Sequence, residues 1–361
     1  MTKVCHMTSV HSPEDGRIFR KECISLANSG YDIYLIQQGK TYDKCGVHII
    51  GFGEPEKSRL NRMLKTSKTV YKAALDIDAD IYHFHDPELL PIGLKLKRKG
   101  KKVIFDSHEN TSALIMEKAY IPIIIRSLIS KLYKTYEKYV CKRIDAVIYV
   151  TPNFEEYFSI LNSNSIMLTN YPILEDYCPP DYTSKNMFFA GMVIPLWHHH
   201  NILDAMCSID DVKYTLCGNA DTEYLSELKK KNSWERVNYL GRVNYSVVKE
   251  EMKKSSIGIC ILGKSLNNGG SLGCTKMFEE MMAGLPVICS DYEHWKEIIE
   301  DNNCGICVSP DDPNQIYEAI KRLIENPDLS RIMGENGRKL IEDTYNWKNE
   351  ETKLLRLYSN L

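Results

Sequence analysis

Polar, titratable residues gather in three short runs: HSPEDGR (His11 to Arg17), HFHDPE (His83 to Glu88) and DSHEN (Asp106 to Asn110). Each follows an apolar stretch that reads as a β-strand. In an open parallel sheet, ligands bind beyond the carboxyl ends of the strands, so three such runs at strand ends describe one polar cleft. Imidazole and carboxylate edges offer hydrogen-bond donors and acceptors side by side, which suits sugar hydroxyls. On this reading Asp15, Gly16, Arg17, His85, Asp86, His108 and Glu109 line a cleft for an acceptor. For any one histidine taken alone, the competing reading is a packed or capping residue.

A second candidate lies between Asn267 and Asp291, in NNGGSLGCTKMFEEMMAGLPVICSD. A glycine-rich loop leads into a helix expected from Thr275 to Gly284, followed by Leu-Pro and a buried strand. The exposed N–H groups of a helix amino terminus attract anions, and Lys276 adds a formal positive charge in the first turn. Glu279, three residues on, projects from a similar side. The chemistry that fits is a diphosphate on Gly270, Ser271, Leu272, Gly273, Thr275 and Lys276, with the Glu279 carboxylate accepting from a ribose diol. The competing reading is a plain helix packed through Met277, Phe278 and Met281.

Short β-rich runs alternate with longer helical stretches, which predicts an α/β chain of parallel sheets wrapped by helices. Strands are expected at Lys3 to Thr8, Tyr31 to Ile36, Ile81 to His85, Lys102 to Asp106 and Ala146 to Val150. A helix is expected from Arg17 to Ser29, capped by Asp15. The turn-rich stretch from Tyr171-Pro172 to Pro179-Pro180 reads as a hinge. Beyond it strands recur near Met187 to Ala190, Val212 to Cys217, Val237 to Tyr239, Ile257 to Leu262 and Val287 to Cys289. Two domains follow, over residues 1–175 and 181–344, with a closing helix over 345–361 expected to pack back on the first. No GxGxxG follows the first strand, which argues against a dinucleotide-dependent dehydrogenase.

The chain has 361 residues, more than one hydrophobic core usually organises. With 43% hydrophobic and 26% charged residues it has the composition of a soluble globular protein. No signal peptide or membrane-spanning run is evident, and the 12 cysteines are scattered, so reduced thiols and a cytoplasmic location are expected. Cys304-Gly-Ile-Cys307 has the spacing of a redox pair, but no helix pattern follows it, and a buried strand over Gly305 to Val308 is the simpler reading. Through residue 180 there are 25 Lys and Arg against 21 Asp and Glu, and 21 against 27 beyond it. The basic excess sits in residues 57–72 and 126–143, where apolar residues recur at helical spacing. One reading is a solvated outer face over a sheet. The other is a peripheral contact with anionic lipid on the inner face of the cytoplasmic membrane.

KMFEEMMAGLPVICSD and the HWKEIIEDNNCGICVSPDDP that follows closely resemble the donor-binding segment of glycosyltransferase family 4. DGRIFRKECISLANSGYDIYLI, YHFHDPELLPIGLKLKRKGKKVIFDSHEN and IDAVIYVTPNFEEYF resemble members that act in bacterial surface-polysaccharide assembly, including capsule, exopolysaccharide and lipopolysaccharide. The resemblance covers nearly the whole chain. It implies the GT-B fold, two Rossmann-like domains with parallel sheets facing across a nucleotide-sugar cleft. It also implies a retaining, metal-independent hexosyltransferase with no cofactor, a nucleotide-sugar donor (UDP preferred) and a glycan or lipid-linked glycan acceptor. Glu279 matches the second glutamate of the family's Glu-x7-Glu pattern, associated with the ribose, and Lys276 a lysine often preceding it. His108 falls where the family has a histidine near the transferred sugar. Gly191 matches the glycine of the loop opening the second domain, and Gly241, Arg242 and Val243 a turn near the base.

Two departures stand out. Ser271 occupies the position of the first glutamate. Met192 and the run Trp197-His198-His199-His200 occupy the region where an arginine and a lysine usually meet the diphosphate, so Lys276, Lys264 and Arg242 are expected to supply the charge. The consecutive histidines lack the usual spacing of metal ligands, and no metal site is expected. These departures keep two alternatives open: a non-catalytic member that binds a sugar nucleotide or a partner, and a GT-B epimerase acting on UDP-sugars.

Overall fold

The computed structural model describes every residue except 55–57, 59–61, 119 and 265–271. Gly270 and Ser271, with Lys57, Arg59 and Leu60 of the first basic stretch, lie outside the described residues. The chain divides into two compact units: Met1–Asn170 with Lys348–Leu361, and Tyr171–Trp347.

Unit 1 is built on β1 (Lys3–Met7), β2 (Asp32–Gln37), β3 (Tyr42–Lys44), β4 (Val47–Gly51), β5 (Ile81–Phe84), β6 (Lys102–Ser107), β7 (Ala146–Tyr149) and β8 (Ser165–Met167). They form one sheet in the order β3-β4-β2-β1-β5-β6-β7-β8. All pairs are parallel except β3 with β4. The chain winds outward from β1 on one side and then crosses to β5 on the other, which opens a crevice beyond the carboxyl ends of β1 and β5. β5 and β7 are buried at every position, as strands covered on both faces must be. Leu354, Leu357 and Tyr358 of the last helix, Trp347–Ser359, are buried. That helix is tied to unit 1 by the Glu350 carboxylate, which accepts from Thr169 N at 2.8 Å.

Unit 2 repeats the winding with β9 (Asn186–Ala190), β10 (Lys213–Cys217), β11 (Val237–Gly241), β12 (Ile257–Cys260), β13 (Val287–Ser290) and β14 (Gly305–Val308), in the order β11-β10-β9-β12-β13-β14. Its crevice lies beyond β9 and β12. One large core runs from Met187 and Phe189 to Ile341, and it includes Trp295, Met277 and Phe278.

Several expectations need correction. β3, β4 and β8 were not anticipated: the first and last have three residues each, too few to show an alternation. The segment expected as one α-helix from Arg17 is a π-helical turn, Ile18–Cys23, followed by a short α-helix, Ile24–Asn28. In the turn Glu22 N donates to Arg17 O at 3.0 Å, an i to i+5 bond that brings these two side chains onto one face. In the second basic stretch the helix is Ile123–Cys141, and Leu128, Leu132, Tyr136 and Tyr139 are exposed rather than packed on the sheet; Val140 alone of that apolar set is buried. By contrast, Cys304 is buried and leads into β14, the strand expected over Gly305 to Val308, so the Cys-x-x-Cys pair is no redox helix start.

Close backbone approach at the carboxyl ends of β9 and β10 depends on glycine. Gly218 has φ +133°, and a Cβ there would collide with the carbonyl of Gly191. Gly218→Ala is expected to destabilise the protein by about 2–3 kcal/mol, a fall in Tm of roughly 4–12 °C. Gly16→Ala, at a position with no neighbour in reach, should leave Tm unchanged when both are measured by calorimetry.

Candidate active site

The buried strands of unit 1 carry polar exceptions: His6 on β1, His83 on β5 in register with it, and Asp106 on β6. Arg17 grips Asp106 in a bidentate pair, Nε to Oδ2 at 2.8 Å and Nη2 to Oδ1 at 3.0 Å, while Nη1 donates to Leu168 O at 2.9 Å. The His108 ring meets the same carboxylate at 2.9 Å, and Nδ1 of His85 meets it at 3.2 Å. Inward from His85 the chain of contacts continues: His85 Nε2 to His6 Nδ1 at 3.0 Å, His6 Nε2 to Tyr358 Oη at 3.2 Å, and Tyr358 Oη to His83 Nδ1 at 2.8 Å.

Burial alone would raise the Asp106 carboxyl, but Arg17 and then His108 outweigh it and hold it well below the usual range. Glu22 goes the other way: burial, then the charge of Asp106, push it well above that range, against the pull of Arg17. Burial brings His85 down to about 4 and pushes His6 and His83 well below the usual imidazole range. One carboxylate and one guanidinium are therefore the fixed charges of the cluster.

These contacts sort the expected acceptor residues. His108 is partly exposed and stands on Asp106, a group held in orientation yet open to a ligand. His85 is 2% exposed and is its inner support. Arg17, at 4% exposure, is spent on Asp106 and Leu168 and cannot itself receive a substrate, which corrects its assignment as a cleft contact. Asp86 is likewise consumed: its Oδ2 accepts from Thr8 Oγ1, Ser9 N and Ser9 Oγ. Asp15 Oδ1 caps the start of the π-helical turn through Arg17 N and Ile18 N. Burial raises its carboxyl, but His11 and those amides lower it further. Gly16 is exposed. Glu109 is exposed and lines a cavity of about 170 Å³ with Asn110, Ser112, Lys134 and Tyr157.

In unit 2, Gly191, Gly218 and Gly241 meet at the carboxyl ends of β9, β10 and β11. Gly191 N donates to Cys217 O at 2.8 Å, and Gly218 N to Gly241 O at 2.7 Å, which aligns three strand-end glycines. Lys276 crosses directly over Gly191, where a Cβ would collide with its Cε. Its Nζ sits 4.4 Å from the ring centroid of the buried Trp197, which fixes the ammonium in place. Lys276 and Glu279 lie on the helix Thr275–Met282, both half-buried. Arg242, Lys264 and Gly273 are exposed, and Thr275 is half-buried. Leu272 and Val243 pack into hydrophobic clusters and offer no polar side chain, so only their backbone can serve a ligand.

The three consecutive histidines diverge. His198 packs over Gly263 and lies 3.6 Å from Asp311; His199 is buried against Tyr214 Oη; His200 meets Tyr224 Oη at 3.1 Å. They form no metal cluster among the described residues. Met192 is half exposed, at 53%.

Two family models match this chain in tandem: "Glycosyltransferase Family 4" over residues 16–160 and "Glycosyl transferases group 1" over residues 180–340. An uncharacterized glycosyltransferase of Methanocaldococcus jannaschii is 25% identical over 313 residues, 81% of this chain and 77% of its own. The phosphatidyl-myo-inositol mannosyltransferase of Mycobacterium leprae is 23% identical over 301 residues, 80% of this chain and 75% of its own. Among solved structures, Anabaena HepE in complex with UDP and glucose aligns with a TM-score of 0.75 at 13% identity, over 100% of both chains. The chain belongs to glycosyltransferase family 4. Its fold is GT-B, with two parallel-sheet domains.

Sequence reasoning missed four groups of this transferase. His6 and Glu22 carried a readable signal, a polar residue inside an apolar strand and an acid on the buried face of a helix. Tyr358 carried none, since it reaches the cluster from the far end of the chain. Cys274 precedes the helix that bears Lys276, with its Sγ 3.4 Å from Cys260 Sγ. The Cys260 thiol, then Lys276 and the N–H groups of Met277 and Lys276, bring Cys274 down to about 7 against the effect of burial. Its thiolate fraction therefore rises as pH rises through 7. Carbamidomethylation of Cys274, followed by peptide mass spectrometry, is expected to be half-maximal near pH 7. A midpoint at about 8.5, the ordinary thiol value, would show that the sulfur does not feel the helix start.

Proposed function

We propose that this transferase moves a hexosyl unit, with retention of anomeric configuration, from a UDP-sugar to a glycan or lipid-linked glycan in surface-polysaccharide assembly. The observation that carries the reading is the ammonium of Lys276, pinned on Trp197 across Gly191 at the ends of β9 and β12. A diphosphate placed there meets a fixed cation, beside strand-end glycines whose own amides are held by backbone carbonyls. Arg242 and Lys264, exposed on the same unit, supply further charge. The complex of HepE with UDP and glucose supports the choice of nucleotide, and the mannosyltransferase named for phosphatidyl-myo-inositol supports a lipid-linked acceptor.

The transfer needs no protein nucleophile. The bond from the anomeric carbon to the diphosphate oxygen breaks while the acceptor oxygen bonds to that carbon on the same face. The departing phosphate oxygen takes the acceptor's proton. The work of the protein is then to stabilise charge that builds on the leaving group, through donors already in place. Positive side chains fill the role that a divalent ion would fill at the diphosphate, so added magnesium or manganese should not raise turnover. His108, steadied by Asp106, is the group of unit 1 proposed to bind the transferred sugar.

Lys276→Ala is expected to lower kcat by roughly 10² or more and to abolish the rise in Tm that UDP gives the parent. Turnover within a few-fold of the parent would remove Lys276 from the site. Binding of UDP-sugar without any transfer would favour a non-catalytic role, and donor turnover without acceptor an epimerase.

We also propose that the helix Ile123–Cys141 lies on an anionic membrane surface. Ile124 is 89% exposed and Leu132 62%, and Lys131, Lys134, Lys138 and Lys142 are exposed on the same helix or just past it. Apolar and basic residues together suit an interfacial helix. The parent should sediment with phosphatidylglycerol vesicles at low salt. Leu128→Asp with Leu132→Asp should stay in the supernatant while keeping full turnover on a soluble acceptor.

A further inference from the structure

We propose that unit 1 holds one buried divalent transition-metal ion, of zinc type, ligated by His6, His83, His85 and Glu22. The argument starts from Glu22. Its carboxylate is fully buried, and neither oxygen has a hydrogen-bond partner. Arg17 Nε lies 3.0 Å from Oε1, but its N–H is used by Asp106. Burial and Asp106 favour the neutral acid here, and for the group to ionise a cation or several donors beyond Arg17 must answer it.

What surrounds Oε2 of Glu22 is nitrogen. His6 Nδ1 lies at 3.9 Å, His83 Nδ1 at 3.8 Å and His85 Nε2 at 3.9 Å; an ion would replace the contacts these atoms make without one, His6 Nδ1 with His85 Nε2 and His83 Nδ1 with Tyr358 Oη. One ligand atom from each of the four residues falls within 4.8 Å of all the others. In a tetrahedral site with metal–nitrogen bonds of about 2.0–2.1 Å, ligand atoms stand roughly 3.4 Å apart. The Glu22–histidine distances need to shorten by about half an ångström, the widest pairs by up to about 1.4 Å, and His6 and His85, at 3.0 Å, must part slightly to close the set.

The supports a metal site needs are also present. Asp106 receives the outer nitrogen of His85 at 3.2 Å, the carboxylate–histidine pairing that fixes a ligating ring. Tyr358 Oη stands 3.2 Å from the outer nitrogen of His6. Three imidazoles and one carboxylate select zinc and its neighbours over magnesium or calcium, which prefer oxygen. All four ligands are buried, with no open coordination position, so the ion is structural: it locks β1, β5 and the π-helical turn together behind His108. The site is independent of the donor reading, because every ligand belongs to unit 1.

The test is metal analysis of the full chain grown with zinc supplement and dialysed against a weak chelator. About one zinc per chain is expected. Glu22→Gln and His85→Gln, each checked for folding by circular dichroism, should retain less than a tenth of it. Because either variant may misfold, the parent is also unfolded in chelator and refolded with cobalt, where visible ligand-field absorption of a tetrahedral site is expected. Parent protein that takes up neither zinc nor cobalt, and whose Tm is the same with and without zinc, overturns the proposal and leaves a hydrogen-bonded cluster with a protonated Glu22. Zinc that persists in folded Glu22→Gln and His85→Gln but is lost when His198, His199 and His200 are replaced together overturns it too.

Discussion

The ion pair between Arg17 and Asp106 is the constraint on which unit 1 is arranged. Both residues are buried, and burying either charge alone would cost several kcal/mol; losing one partner of such a pair typically costs about 3–5 kcal/mol, against at most about 1 for an exposed pair. The two are distant in sequence, so the pair closes only when the turn after β1 and the end of β6 meet. Once closed, it fixes the state of its neighbours. Asp106 keeps its negative charge, His85 and His108 gain an acceptor, and Glu22 is left beside an occupied carboxylate.

That arrangement explains why an irregular helix follows β1. A regular α-helix sets residues five apart on different faces, whereas the π-helical turn sets Arg17 and Glu22 together. The turn gives up regular hydrogen bonding to place an acid and a guanidinium on one side of Asp106. Departures of this kind cluster at functional sites because the surrounding structure must compensate for them. Here the compensation is visible in Asp15, whose side chain satisfies the first two amides of the turn.

Much of this was legible in residue order. Strand ends followed by HSPEDGR, HFHDPE and DSHEN marked where a polar site had to form, since a parallel sheet places loops at one edge. The alternation of β-rich and helical runs fixed the fold class, and the helix after the glycine loop began at Thr275 as its pattern required. What the pattern could not show was which of those polar residues face a ligand and which face each other. Arg17 and Asp86 read as open groups because local sequence carries no record of long-range partners. The same limit hid His6 and Tyr358, which lie at opposite ends of the chain and meet only in the folded sheet. The helix Ile123–Cys141 misled in another way: helical periodicity reports an apolar face but not what covers it, and here that face is exposed.

The second unit shows how position substitutes for number of charges. An ammonium on a flexible side chain in water loses much of its attraction for an anion to screening and to the entropy of holding it still. Lys276 has met the entropic part before any ligand arrives, because Trp197 holds its tip and Gly191 leaves a channel for its stem. A larger residue at position 191 would displace the lysine, so the glycine matters for what it lets through. The Trp197 indole acts here as a positioning device for that ammonium. One cation held in place before a ligand arrives acts through geometry more than through net charge, which is why the proposed diphosphate contact rests on Lys276 rather than on the number of basic residues around it.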